Sequence, residues 1–134
     1  MDVVKTETHP VRGTEDIVLV RQAVRARAVE LGFSLVDQTK IVTAASELAR
    51  NTVTYGGGGT VTIDAVTLGG RRGLRLSFLD EGPGIKDLEQ AMKDGFTTGT
   101  GLGLGLSGAK RLSNEFDIVS TVGHGTRVTI TRWR

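Results

Sequence analysis

The hydrophobic positions of this chain change period several times, and each change marks a predicted element. Val3–Thr8 reads as a first strand. Thr14 followed by Glu15 and Asp16 marks a helix start, after which Ile17, Val20, Val24, Ala28 and Leu31 recur at helical spacing until Gly32 ends the run. A second helix follows at once, with Asp37 placed to cap it and Ile41, Ala44, Ala45, Leu48 and Thr52 forming its inward face. It runs up to the glycine turn Gly56 to Gly59. The period then drops to two. Thr60–Leu68 and Gly73–Leu79 predict adjacent antiparallel strands, and the glycine and arginine cluster between them suits a hairpin. Asp87–Met92 predicts a short helix and Leu102–Leu112 a longer one, before Phe116–Val122 and Thr126–Trp133 close the chain as a hairpin turned through Gly-His-Gly.

Because the strands cluster late and in hairpins, the predicted class is α/β. The expected architecture is a two-layer sandwich, with a mixed, mostly antiparallel sheet and the helices on one face. A chain of 134 residues fits one compact domain over its whole length, burying roughly two thirds of the surface its unfolded form exposes. No repeat, linker or low-complexity tail divides it, so the motifs belong to a single site.

Composition narrows the function classes. Seventeen basic and 15 acidic residues nearly balance at a net charge of +2, with no basic block of the kind that tracks a phosphate backbone, so no nucleic-acid partner is expected. The exposed basic residues, Arg71, Arg72, Lys110 and Arg111 among them, receive no role. The absence of cysteine excludes disulfides and thiolate metal sites. The N-terminus has neither a basic nor an apolar signal region, and no stretch approaches the roughly 20 apolar residues that span a bilayer. A cytoplasmic location with no membrane partner is the expectation. The 19 glycines gather at turns and loop-helix junctions, which implies backbone requirements at those points.

Candidate chemistry sits in three clusters. Glu47 and Asn51 lie four apart on a predicted helix, so the carboxylate and the carboxamide share one face, one turn apart. An Asn side-chain carbonyl is a hard oxygen suited to magnesium, which takes few protein ligands and fills its other positions with phosphate oxygens and water. A carboxylate one turn away can accept a proton from an attacking hydroxyl. The same spacing also describes an ordinary solvated helix face, so the pair is weak by itself. Asp80 stands where the chain leaves an apolar strand; a carboxylate there accepts a hydrogen bond from the exocyclic amine of adenine and repels the oxygen that guanine carries at that position. Gly82 and Gly84 clear side chains from the following turn, which Pro83 stiffens, although Asp-Glu-Gly-Pro-Gly is also a common surface turn.

The third cluster repeats glycine at Gly99, Gly101, Gly103 and Gly105 and runs into an amphipathic helix. Amides freed of side chains at a helix start suit a triphosphate. The run matches neither the dinucleotide fingerprint nor the P-loop, since no strand precedes it and no Gly-Lys-Ser/Thr follows. Leu102, Leu104 and Leu106 interleave with the glycines, which a flexible linker does not require. Thr126, after the Gly-His-Gly turn, is placed to reach the base directly or through water, although a β-branched residue at a strand start is also common without a role. His9 and His124 are too isolated for a metal site.

The segments ELARN, DEGPGI and GTGLGLGLSGAKRL resemble the N, G1 and G2 boxes of the GHKL or Bergerat-fold ATPases, the group of the gyrase, Hsp90, MutL and histidine-kinase ATP domains, and GHGT resembles their final box. The likeness covers nearly the whole chain. Within the group the VDQTKIVTAASELARN helix, the DGFTTGTGLGLGLSGAKRL run and the Trp-Arg ending look most like the RsbT-type switch serine/threonine kinases of the bacterial stressosome, with anti-sigma-factor kinases of the RsbW and SpoIIAB type next. The resemblance implies a histidine kinase-like ATPase fold, with ATP and Mg2+ as cofactors. It implies that Asn51 ligates the magnesium, Glu47 activates the attacking hydroxyl and Asp80 reads adenine, while Gly82, Gly84, Gly101, Gly103 and Gly105 shape the pocket.

It further implies a protein serine/threonine kinase that phosphorylates STAS-domain scaffold proteins and, on release, activates a PP2C-type phosphatase in a general stress response. The chain departs from histidine kinases in its short segment between Gly84 and Gly101 and in the absence of an upstream helix carrying a phosphoacceptor His. Leucine stands within the GLGLGL run where related switch kinases carry a smaller residue. Two other readings share the pocket: an anti-sigma factor that sequesters a sigma factor, and a binding module whose nucleotide state alone controls its partners. An ATPase of the gyrase or Hsp90 kind ranks last. The motifs do not separate switch kinase from anti-sigma factor and leave oligomeric state unknown.

Overall fold

The computed structural model describes residues 1–93 and 106–134. The elements run β1 (Asp2–Val11), α1 (Thr14–Glu30), α2 (Leu35–Thr54), β2 (Gly59–Leu68), β3 (Arg71–Asp80), α3 (Leu88–Ala91), α4 (Leu106–Arg111), β4 (Glu115–Thr121) and β5 (Gly125–Trp133). This is the order that the hydrophobic periods predict. The five strands form one sheet in the order β1-β2-β3-β5-β4, and all four pairings are antiparallel.

The sheet has one apolar and one polar face, which follows from its period-two alternation. Val61, Ile63, Leu74, Leu76, Phe78, Val128 and Ile130 face the helices and are buried. A row of short polar side chains, Thr8, Thr62, Ser77, Thr129 and Asp117, crosses all five strands on the other face. Against the apolar face lie α1, through fully buried Val20, Val24 and Ala28, and α2, through Ile41, Ala44, Ala45, Leu48 and Thr52. The inward face read from the helical spacing of α2 is therefore the face that packs.

The turn between β2 and β3 is Gly69-Gly70, with φ of +57° and +82°. Two left-handed residues twist the hairpin in the sense its strands require. Arg71 and Arg72 thus belong to β3 rather than to the turn.

One assignment is corrected. Ser34, not Asp37, caps α2: the Ser34 hydroxyl accepts the Asp37 backbone N–H at 3.1 Å. The Asp37 carboxylate is instead occupied by Arg132 of β5, whose Nη2 donates to Oδ1 at 2.6 Å while its Nη1 donates to the Leu112 carbonyl just beyond α4 at 2.8 Å. One guanidinium thus ties together the start of α2, the end of α4 and the last strand.

That tie has a pH signature. The hydrogen bond from Arg132 holds the Asp37 carboxyl below its ordinary range against a smaller opposing effect of burial. A depressed carboxyl stabilises the fold fully above its unfolded pKa and loses that contribution as pH falls through its folded value. In urea titrations, Arg132→Met is expected to be less stable than wild type near neutral pH. The gap should narrow as pH falls below roughly 4. A gap that stays constant with pH would show that Arg132 acts by packing alone.

Candidate functional site

The site grows out of the end of the sheet. Period-two alternation places Gly59, Asp80, Thr126 and Ser120 on the helix-facing side, and strand register lines them up, one per strand across β2, β3, β5 and β4. The next row inward is Val61, Phe78, Val128 and Ile118. A polar rim therefore adjoins an apolar floor, the arrangement that suits a flat ligand with one hydrogen-bonding edge.

The cavity at this rim has walls from three sources. α2 and its end supply Leu48, Asn51, Thr52, Tyr55 and Gly56; the sheet supplies Phe78, Asp80, Thr126 and Val128; Pro83, Gly84, Ile85 and Leu106 close it. Asn51 and Asp80, far apart in sequence, face one space. Glu47 lies one helical turn from Asn51 but is not a wall residue, and its Oε1 accepts from Arg50 Nη1 at 2.8 Å.

Asp80 is held by backbone. Its Oδ1 accepts from the Gly82 N–H at 2.9 Å and the Thr126 N–H at 3.3 Å, so Oδ2 is the oxygen left to accept from a ligand. Gly56 packs directly against this carboxylate: a Cβ there would lie 2.4 Å from Asp80 Cγ and 2.6 Å from Oδ2. Gly82 is required by the same contact, since its Cβ would meet Gly56 Cα at 2.7 Å. Gly84 sits at φ +77° with the Thr121 carbonyl 2.5 Å from where a Cβ would stand. Both predicted loop glycines thus have steric reasons within the protein itself.

The loop after Asp80 is pinned to the last hairpin. The Ile85 N–H donates to Ser120 Oγ at 2.8 Å, and the Gly123 N–H donates to the Pro83 carbonyl at 2.9 Å. Ser120 also lies 2.8 Å from Thr126 Oγ1. Gly101, Gly103 and Gly105, with Gly99, fall outside the described residues. Leu106, the first residue of α4, borders the cavity directly after that run.

Sequence reasoning missed Gly56, Tyr55 and Ser120. Ser120 was within reach: counting back across the Gly-His-Gly turn pairs it with Thr126 on the same face. Gly56 gave no such signal, because its necessity arises from a carboxylate on another element.

That packing yields a prediction. Gly56→Ala is expected to push the Asp80 carboxylate aside and weaken nucleotide binding by about tenfold or more, the loss of one charge-assisted hydrogen bond. Its φ is not left-handed, so the melting temperature should move by only a few degrees. Unchanged affinity by calorimetric titration would show that Asp80 does not contact the nucleotide.

Among the described residues no group of three or more His, Cys, Asp or Glu can hold a metal, and no helix is long and apolar enough to cross a membrane. The Asn51 carboxamide at the cavity wall fits a magnesium ion that draws most of its ligands from phosphate and water.

Residues 36–133 match the family model described as histidine kinase-, DNA gyrase B- and HSP90-like ATPase. The chain is 49% identical over 118 residues to the serine/threonine-protein kinase RsbT of Bacillus subtilis, covering 88% of this chain and 89% of that one. It is 33% identical over 119 residues to the anti-sigma F factor of a Thermoanaerobacter species, covering 84% and 82%. Among solved structures, one of the RsbU and RsbW domains of a Mycobacterium tuberculosis protein superposes with a TM-score of 0.66 at 23% identity, over 98% of this chain and 33% of that one. The SiaB-SiaC complex of Pseudomonas aeruginosa gives 0.59 at 14% identity, over 98% and 91%. These two structures share the fold.

Proposed function

The chain belongs to the histidine kinase-, DNA gyrase B- and HSP90-like ATPase family, and from that premise we propose that it is a cytoplasmic switch kinase, one ATP-binding domain that transfers the γ-phosphoryl group of Mg-ATP to a Ser or Thr of a STAS-domain protein. Its likeness to a serine/threonine kinase over most of both chains supports the reaction class. The observation that carries the nucleotide reading is the Asp80 carboxylate, fixed through Oδ1 by two backbone amides at a cavity that Asn51 also lines.

Adenine enters edge-first against the sheet end. Asp80 Oδ2 accepts from its exocyclic amine, while Phe78 and Val128 offer the ring an apolar wall. Gly101, Gly103 and Gly105 lie outside the described residues, and by sequence their amides are the candidate donors to the phosphate oxygens. The Asn51 carbonyl oxygen would hold a magnesium ion, which would supply charge neutralisation to the phosphates. Arg50 steadies one oxygen of Glu47, leaving the other to take the proton of the acceptor hydroxyl as its oxygen bonds to the γ-phosphorus and ADP departs. Catalysis on this account is positioning and electrostatics. A kinase that leaves its phosphorylated substrate is then available to a second partner, which we propose is a PP2C-type phosphatase of a general stress response in stressosome-bearing cells.

The experiment is transfer of labelled γ-phosphate from Mg-ATP to a STAS-domain protein encoded beside this chain. Labelled phosphoserine or phosphothreonine on that protein supports the proposal. Tight ATP binding without transfer to any STAS protein overturns it in favour of a nucleotide-gated binding module. The 33% identity to an anti-sigma F factor favours a second reading, sequestration of a sigma factor. Co-elution with a sigma factor, in place of a phosphatase, distinguishes that reading.

A further inference from the structure

We propose that the exposed stripe Val36, Lys40, Thr43 and Glu47 of α2 is the docking track for the protein substrate, and that this substrate seats an acidic group on Lys40, about 10 Å from its acceptor hydroxyl. The proposal rests on the kinase reading, with Glu47 as the base. The four residues are spaced i, i+4, i+7 and i+11, which keeps them on one helix face. That face is open: Val36 is 62% exposed, Lys40 and Thr43 are exposed, and the Glu47 side chain is 34% exposed.

What singles out Lys40 is its isolation. A lysine three residues after an aspartate on a helix is placed to pair with it. Here Arg132 takes the Asp37 carboxylate, its Nη2 donating to Oδ1 at 2.6 Å. Among the described residues Lys40 makes no hydrogen bond or ion pair, and it acts on Asp37 only through its field. Its neighbour along the track is the exposed apolar side chain of Val36, one turn back. A cation without a partner beside an uncovered apolar group complements a protein surface that offers a carboxylate next to an apolar side chain.

The track leads to the chemistry. Seven residues separate Lys40 from Glu47, a rise of about 10 Å at roughly 1.5 Å per residue. An extended substrate segment covers that span in about three residues at roughly 3.3 Å each. The acidic group therefore stands about three positions from the acceptor Ser or Thr in an extended segment, or at the same distance across the surface of a folded one. Thr43, between the two charges, is short enough to leave the path open.

The test is steady-state transfer of labelled γ-phosphate to the STAS-domain protein encoded beside this chain. Wild type is compared with Lys40→Ala, Lys40→Glu, Lys40→Arg and Val36→Asp, with melting temperatures and the KM for ATP measured alongside. Lys40→Glu is expected to raise the KM for the protein substrate about tenfold or more and Lys40→Ala about fivefold, with kcat and the KM for ATP within about twofold of wild type. Lys40→Arg, which keeps the charge, should keep the wild-type KM, and Val36→Asp should raise it. Each Asp and Glu of the substrate is then changed to Lys in turn. One such change, about 10 Å from the phosphorylated hydroxyl, should restore the KM of Lys40→Glu. A wild-type KM in Lys40→Glu, or rescue from no substrate position, overturns the docking track and leaves the kinase reading standing. A loss confined to kcat or to the KM for ATP overturns it likewise, by placing the effect in the nucleotide pocket. Absence of transfer by wild type overturns the kinase reading and this proposal together. Should Lys40→Glu fail to fold, the KM of Lys40→Ala decides.

Discussion

Asn51→Ala is expected to lower magnesium-dependent phosphoryl transfer by about a hundredfold or more, roughly 3 kcal/mol of transition-state stabilisation. The side chain stands on the α2 wall of the cavity, one turn past Glu47. Its only hard oxygen suited to a divalent cation is the amide carbonyl, and alanine removes it. Alanine also has the higher helix propensity, so α2 itself should not weaken. The loss should therefore appear in turnover and in the magnesium dependence of ATP binding, with the melting temperature of the nucleotide-free protein little changed. Single-turnover transfer across a magnesium series measures both. Wild-type rates in the variant would remove Asn51 from the metal site and leave the proposed mechanism without its cation anchor.

Asp80→Asn is expected to weaken ATP binding by roughly 10- to 100-fold and to narrow the preference over GTP. The sign follows from the contacts. The two backbone N–H groups of Gly82 and Thr126 need an acceptor, so the asparagine oxygen should stay on them. Its NH2 then turns to the ligand, where it opposes the amine of adenine and matches the carbonyl of guanine. Competition between ATP and GTP for a fluorescent nucleotide reads the ratio. A fall in both affinities by the same factor would mean that Asp80 supports the pocket without reading the base.

Much of this fold is legible along the chain because neighbours in sequence are neighbours in space. Helical spacing alone identifies Ile41, Ala44, Ala45, Leu48 and Thr52 as the buried face of α2, and all five are buried. The glycine pair at 69 and 70 announces its hairpin because glycine adopts the left-handed backbone of such a turn without steric cost. The cap of α2 is different. Ser34, directly before the helix, accepts the Asp37 N–H, while the Asp37 carboxylate is taken by Arg132, 95 residues further on.

The site divides in the same way. Asn51, Asp80, Gly82 and Gly84 are recognisable because each is a chemical type at the end of an element, where function needs it. Gly56 and Ser120 are not recognisable by type. Gly56 matters because a strand end from another part of the chain brings a carboxylate to its Cα, and Ser120 because the loop amide of Ile85 arrives from 35 residues away.

The amino-acid sequence by itself determined the elements, the two-layer class and the residue types of the candidate site, since periodicity, turn residues and donor chemistry are local properties. Tertiary structure alone decided that β5 inserts beside β3, as the order β1-β2-β3-β5-β4 records, and so which side chains share the polar rim. The physical reason is that hairpin pairing is encoded by short turns, whereas the β3–β5 pairing closes a long loop and is selected by burial of Leu76, Phe78, Val128 and Ile130 together in one core.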